Sequence, residues 1–117
     1  MKNNFIWIAV AVIVFLFLKN VMTNREISDQ DIEGAILIDV RTPGEYKSRT
    51  LPDAHNFPVQ TLEQELERLE KIIGGKDAKI AVFCVSGGRS GRAASLLGKN
   101  GFSNVIDIGS INNYQKN

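Results

Sequence analysis

Apolar positions along the chain fall into three patterns. Residues 5–18, FIWIAVAVIVFLFL, are fourteen apolar positions without a break. Residues 35–40 (AILIDV) and 79–84 (KIAVFC) are shorter, nearly continuous runs. Runs of that length suit strands buried on both faces of a parallel sheet. Leu62, Leu66, Leu69, Ile72 and Ile73 instead recur at helical spacing, with Glu63, Glu67, Arg68, Glu70 and Lys71 opposite. That periodicity predicts an amphipathic helix lying on a sheet. Thr61 is its expected cap, with Glu63 and Gln64 in a capping-box-like first turn, and Gly74-Gly75 ends it. Ala93, Ala94, Leu96 and Leu97 predict a further helix from near Ser90 to Asn100-Gly101.

Shorter pieces fill the gaps. Ser28 and Asp29 are placed to cap one turn running to Glu33. Thr42 precedes Pro43, which suits a first helical position. Residues 51–54 read as a loop, 56–58 as a short extended piece and 104–108 as a last strand; the polar tail 109–117 is expected to hold one helical turn. Strands alternating with helices give an α/β fold, an open and mainly parallel sheet with helices on both faces. There is no internal repeat and no low-complexity stretch.

The N-terminal run stands apart. Fourteen helical residues rise about 21 Å, against roughly 30 Å of hydrocarbon in a bilayer. Extending the helix to Met22 reaches that thickness, with Lys2 and Lys19 at the interfaces and Trp7 near one of them. Residues 1–23 are therefore read as an anchor or uncleaved signal that meets the membrane through residues 5–22, and residues 24–117 as the globular domain. A cleaved secretory signal has a similar apolar length, but the chain continues KNVMTNRE, without an A-x-A-like site. A buried core helix is the third reading. Lys2 and the terminal amine nearly balance Lys19 and Arg25, so charge does not orient the helix. A single N-terminal anchor most often acts as an export signal, which places the domain outside the cytoplasm, in a periplasm-like compartment.

Charge and cysteine content narrow the chemistry. The 117 residues carry 14 basic and 13 acidic side chains, but residues 24–117 hold 12 and 13, a net charge of −1. A domain without a basic field is a poor nucleic-acid partner. One cysteine and one histidine exclude an internal disulfide and disfavour a structural zinc site.

The cysteine itself is the strongest candidate. Cys84 ends a predicted buried strand, and a glycine-rich loop follows it into a helix, where open α/β sheets place their ligands. Gly87 and Gly88 let successive N–H groups turn inward as an anion nest. The helix N-terminus adds its positive end, and Arg89 and Arg92 add formal charge. A cysteine in that field has a lowered pKa and is a nucleophile for an anionic substrate. The competing reading, a buried and inert cysteine, gives no reason for an adjacent nest. Tyrosine-type phosphatases have a similar element with Arg six residues after Cys; here Arg89 comes five after it, and the smaller cradle suits a sulfur atom better than a phosphoryl group.

Four segments in order resemble those of rhodanese domains, the thiosulfate:cyanide sulfurtransferases. Residues 84–90, CVSGGRS, resemble the C-x-x-G-x-R-S active-site loop, and residues 39–46, DVRTPGEY, resemble D-V-R-x-x-x-E-Y. Residues 51–58, LPDAHNFP, are similar to I-P-G-A-x-N-I-P, and residues 101–105, GFSNV, to G-F-x-N-V. The small single-domain, exported phage-shock-protein-E type is the most similar. Three positions depart from the pattern. Arg49-Thr50 stand where Gly-His is usual, Asp53 replaces a glycine, and the usual G-G-x-x-x-W reads Gly109-Ser110-Ile111-Asn112-Asn113-Tyr114. The resemblance implies two-step sulfur transfer. Cys84 attacks the outer sulfur of thiosulfate or a similar anionic donor, sulfite leaves, and a persulfide forms. A thiol or cyanide acceptor, with a protein acceptor also allowed, then removes the sulfur. No metal or organic cofactor is implied.

The expected substrate-binding set is Val85, Ser86, Gly87, Gly88, Arg89 and Ser90, with Arg41 added. Arg41 pairs with Glu45 across a first turn or faces the substrate anion. Arg89 binds the donor or turns inward to Asp39 or Glu45 and braces the loop. His55 is read as a surface side chain, and Tyr46 as a core ring with its hydroxyl near the rim. Two rivals remain: a membrane-tethered sulfur carrier or binding module with little turnover, and an anion-site phosphatase or reductase.

Overall fold

The apolar run at 80–84 forms strand β3 (Ile80–Cys84), and none of its five residues has exposed surface. Its side chains alternate between two cores. Ile80, Val82 and Cys84 join one cluster, and Ala81 and Phe83 the other. This is the period-2 geometry of a strand covered on both faces. The computed structural model describes residues 4–23 and 29–113.

Three strands run parallel with β3, in the order β2-β1-β3-β4. They are β1 (Ile36–Asp39), β2 (His55–Asn56) and β4 (Val105–Ser110). The first core lies between the sheet and two helices, α4 (Leu66–Ile73) and α5 (Gly88–Lys99). Leu69 and Ile73 enter it from α4, Ala93 and Leu97 from α5, and Phe57 from the chain after β2. The second core lies on the opposite face. It takes Ile32 from α2 (Asp29–Ile32), Leu51 and Ala54 from the loop before β2, and Ile111 from a closing 3₁₀ turn (Ile111–Asn113). Tyr46, from α3 (Pro43–Ser48), packs against that cluster and donates its hydroxyl to the Ala54 carbonyl at 2.8 Å. Full burial of each large aliphatic or aromatic side chain contributes about 2 kcal/mol, so the two layers together hold the sheet.

The local signals around α3 hold as expected. The Thr42 side chain accepts from the Glu45 N–H, and the Glu45 carboxylate accepts from the Thr42 N–H, a complete capping box with Pro43 in the first turn. Gly74 ends α4 in the left-handed region at φ 86°.

Four expectations need correction. Thr61 makes no side-chain cap. Its hydroxyl donates to the Pro58 carbonyl at 3.4 Å, and the helix opens through a 3₁₀ turn (Leu62–Glu65) before α4. The extended piece sits one residue earlier than expected, at His55–Asn56. Helix α5 begins at Gly88, two residues before Ser90, because Gly87 at φ 89° turns the chain at once. Strand β4 continues past Ile108 to Ser110. Its register with β3 shifts between Val82, opposite Asp107, and Phe83, opposite Gly109, so Ile108 is an extra bulged residue.

The N-terminal run is one helix, α1 (Asn4–Thr23), of 20 residues. Its described side chains, those of residues 6–15, are all exposed. Among the described residues no helix is long and apolar enough to cross a membrane. The expected membrane contact over residues 5–22 extends outside the described side chains.

Candidate active site

The chain moves from β1 outward to β2, then returns to place β3 on the other side of β1. The crevice at the carboxyl ends of β1 and β3 is therefore the topological switch point of the sheet, the usual ligand position in open α/β folds. Two segments meet there. Asp39, at the end of β1, leads into α3, and Cys84, at the end of β3, leads into α5.

The residues after Cys84 fold back over its sulfur. The Gly87 N–H donates to Sγ at 2.9 Å and the Ser90 N–H at 3.3 Å. The Ser90 hydroxyl lies 3.4 Å from Sγ and donates to the Gly87 carbonyl at 3.1 Å. Only a residue free to adopt φ 89° lets the chain reverse this tightly, which is the part Gly87 plays. A Cβ on Gly87 would also come within 3.9 Å of the Gly109 Cα, so the bulged end of β4 forms the floor of the loop. Burial pushes the Cys84 thiol up, but donors from the Ser90 side chain and from the N–H groups of Ser90, Gly87 and Ser86 outweigh it. The thiol therefore lies below its ordinary value of 9.0. Cys84 has no exposed surface. Its cover is the loop itself, where Val85, Ser86 and Gly88 are exposed.

The expected site residues separate into two groups. Val85, Ser86, Gly87, Gly88, Arg89 and Ser90 all lie in the loop around the sulfur. Arg89 makes a two-point pair with Glu45, Nη1 to Oε1 at 2.6 Å and Nη2 to Oε2 at 3.0 Å. It thus ties the cradle to α3, one of the two roles open to it in the sequence. The pair lowers the Glu45 carboxyl to about 2, and it also raises the Arg89 guanidinium.

Arg41 is placed differently. It is 6% exposed and neither pairs with Glu45 nor lies free to meet an anion. The i,i+4 spacing to Glu45 does not apply, because Arg41 precedes the cap of α3 and is not on the helix. Instead its Nε and Nη2 grip Asp39 at 3.0 and 2.8 Å, and Nη2 also donates to the Arg49 carbonyl. Arg92 is exposed and lines a groove of about 370 Å³ with Val59, Glu63, Ser95 and Lys99, no part of which is formed by the loop. His55 is exposed, as expected.

Two contributors escape a reading of the sequence. Thr50 donates its hydroxyl to Asp39 Oδ2 at 2.9 Å, completing that carboxylate's partners. Gly109 is the other, and its only sequence signal is a glycine directly after an apolar strand.

Comparison with known proteins agrees with this geometry. The family model described as rhodanese-like domain matches residues 23–117. A sulfurtransferase of Allochromatium vinosum is 30% identical over 78 residues, covering 67% of this chain and 68% of that protein. The thiosulfate sulfurtransferase PspE of Escherichia coli is 30% identical over 74 residues, covering 63% of this chain and 68% of that protein. The adenylyltransferase and sulfurtransferase MOCS3-2 of Zea mays is 35% identical over 80 residues, and this chain spans only 17% of its length. Among solved structures, a rhodanese with anions from E. coli superposes with a TM-score of 0.63 at 26% identity, covering 71% of this chain and 94% of that one. The Cys84 loop, the parallel sheet beneath it and these relatives together make the chain a member of the rhodanese-like sulfurtransferase family.

Proposed function

We propose that the domain moves a sulfane sulfur through a persulfide on Cys84. The observation that carries this reading is the convergence of the Gly87 N–H, the Ser90 N–H and the Ser90 hydroxyl on one sulfur at the end of a central strand. The Cys84 thiolate attacks the outer sulfur of thiosulfate or a similar donor. A new S–S bond forms at Sγ while the donor's S–S bond breaks, and sulfite leaves with the electron pair. The persulfide's negative charge then rests among the N–H groups of the loop, which act as a preorganised anion hole. A thiol or cyanide takes the outer sulfur and releases the Cys84 thiolate. The Ser90 hydroxyl turns its hydrogen from the Gly87 carbonyl toward the sulfur as that charge returns.

Incubation with a donor should add about 32 Da to the protein at Cys84, the mass of one sulfur. Cys84→Ser should remove both that gain and turnover while keeping the fold. Turnover by the serine variant at the wild-type rate would overturn the mechanism.

The buried sulfur also supports a carrier reading, in which the domain holds its sulfur for one protein acceptor and turns over slowly with free thiosulfate and cyanide. Rapid discharge onto a single protein, beside slow discharge onto cyanide, would select it. The same proposal places the domain on a membrane, outside the cytoplasm. Ile6, Trp7, Ile8, Ile13 and Phe15 are each more than 60% exposed, an apolar surface that water disfavours and lipid accepts. Retention of the full chain on vesicles, and release once residues 1–23 are removed, tests this placement.

A further inference from the structure

The geometry points to an organic sulfane donor carrying at most one negative charge as the preferred substrate of Cys84, ahead of dianionic thiosulfate, because Arg41 and Arg89 are already paired with carboxylates and the exposed side chain directly after Cys84 is the apolar one of Val85. This inference rests on the persulfide reading above. Thiosulfate carries two negative charges into any site it enters. A site built for it would present unpaired cations, and the sequence offers Arg41, Arg89 and Arg92. Arg92 lies on a groove that the loop does not form, and neither of the other two is unpaired in the structure. Arg89 gives both Nη atoms to Glu45, and Arg41 is closed around the buried Asp39. Each arginine's charge is offset by its carboxylate, and the groups that contact the sulfur among the described residues are N–H groups of the loop and the hydroxyl of Ser90. Those dipoles suffice for the one charge of a thiolate, a persulfide or a leaving group. The domain's net charge of −1 adds no long-range attraction for a second charge.

The rim is the second, independent observation. Val85 follows the nucleophile directly and is 41% exposed, an apolar side chain where a thiosulfate site gains nothing from one. An alkyl or aryl group next to the transferred sulfur fits against it. Organic persulfides and thiosulfonates have such a group. With an organic persulfide RSSH, the Cys84–S bond forms as the S–S bond breaks, and RS⁻ leaves with the electron pair and takes a proton from water. With a thiosulfonate RSO₂S⁻, the sulfinate RSO₂⁻ leaves with that pair. Neither exchange needs an oxidant or reductant.

Methanethiosulfonate and thiosulfate form a matched pair of probes, since a methyl group replaces one charged oxygen. The full chain is assayed with each, with cyanide as acceptor, and each rate is divided by the donor's uncatalysed rate with a small free thiol. The normalised kcat/KM should favour methanethiosulfonate by about tenfold or more. Val85→Arg, which adds an unpaired cation and removes the apolar contact, should raise the value for thiosulfate by about tenfold and lower that for methanethiosulfonate. Glu45→Gln, which frees Arg89, should lower the KM for thiosulfate, and it serves as the second variant if Val85→Arg fails to fold. A wild-type preference for thiosulfate would overturn the charge argument; if both donors still add one sulfur to Cys84, the persulfide reading stands. If neither donor labels Cys84, the persulfide reading fails and this inference fails with it.

Discussion

Two arginine–carboxylate pairs stand beside the Cys84 loop, and they do different work because water reaches only one of them. Asp39 has no exposed surface, and its carboxylate takes hydrogen bonds from the Arg41 N–H, the Arg41 side chain and Thr50. Such a pair costs much to desolvate, and its full set of partners offsets that cost. Its task is to hold the end of β1 and the loop at Arg49 in place. The Glu45–Arg89 side chains are 34% and 27% exposed. There solvent screens the attraction and the contribution to stability is small, but the pair joins the Cys84 loop to α3. Burial decides which pair holds the fold and which sets the position of the loop.

Removing one partner should separate the two most strongly. Asp39→Ala leaves Arg41 buried without its anion and should cost about 3–5 kcal/mol, read from the urea midpoint. A cost near that of an exposed pair would erase the distinction. Thr50→Val removes one donor and should cost about 1 kcal/mol in the same assay. A double-mutant cycle on Glu45 and Arg89 should return a coupling of about 0.5 kcal/mol that shrinks in high salt. Acid gives the finest comparison. The Glu45 carboxyl is lowered to about 2 from 4.5. A depressed carboxyl contributes its full stabilisation above the unfolded value and loses it as the pH falls through the folded one. The Glu45→Gln variant should therefore lack a small part of the stability decline between about pH 4.5 and 2 that the parent chain shows. Identical slopes in the two proteins would mean that the pair contributes nothing to folding.

The positions of the strands, the α3 cap and the Cys84 cradle were legible because they rest on local rules. An apolar run of five buries itself, Thr42 stands directly before Pro43, and a glycine after a strand end turns the chain. The arginine partners were less legible because Glu45 and Arg89 are 44 residues apart in sequence. Sequence narrows Arg89 to a choice, and only the packing of α3 against the loop makes it. For Arg41 the helix rule fails because the residue lies outside the helix. The start of α4 departs from the helical pattern because a 3₁₀ turn intervenes, which takes Thr61 out of capping geometry. Asp53, where the related pattern has glycine, sits at φ 63°, so this chain keeps the left-handed turn with a less suitable residue.

The extra residue in β4 is absorbed without disturbing its neighbours: Asp107 stays opposite Val82 and Gly109 opposite Phe83, while Ile108 still reaches the second core. The cost falls on Gly109, which stands at φ 79°, a conformation that suits glycine, and where an added Cβ would press to 3.3 Å from the Asn113 amide. Alanine at that position would strain the strand end that lies against Gly87, so the setting of the Cys84 sulfur is exposed to a single methyl group placed more than twenty positions downstream.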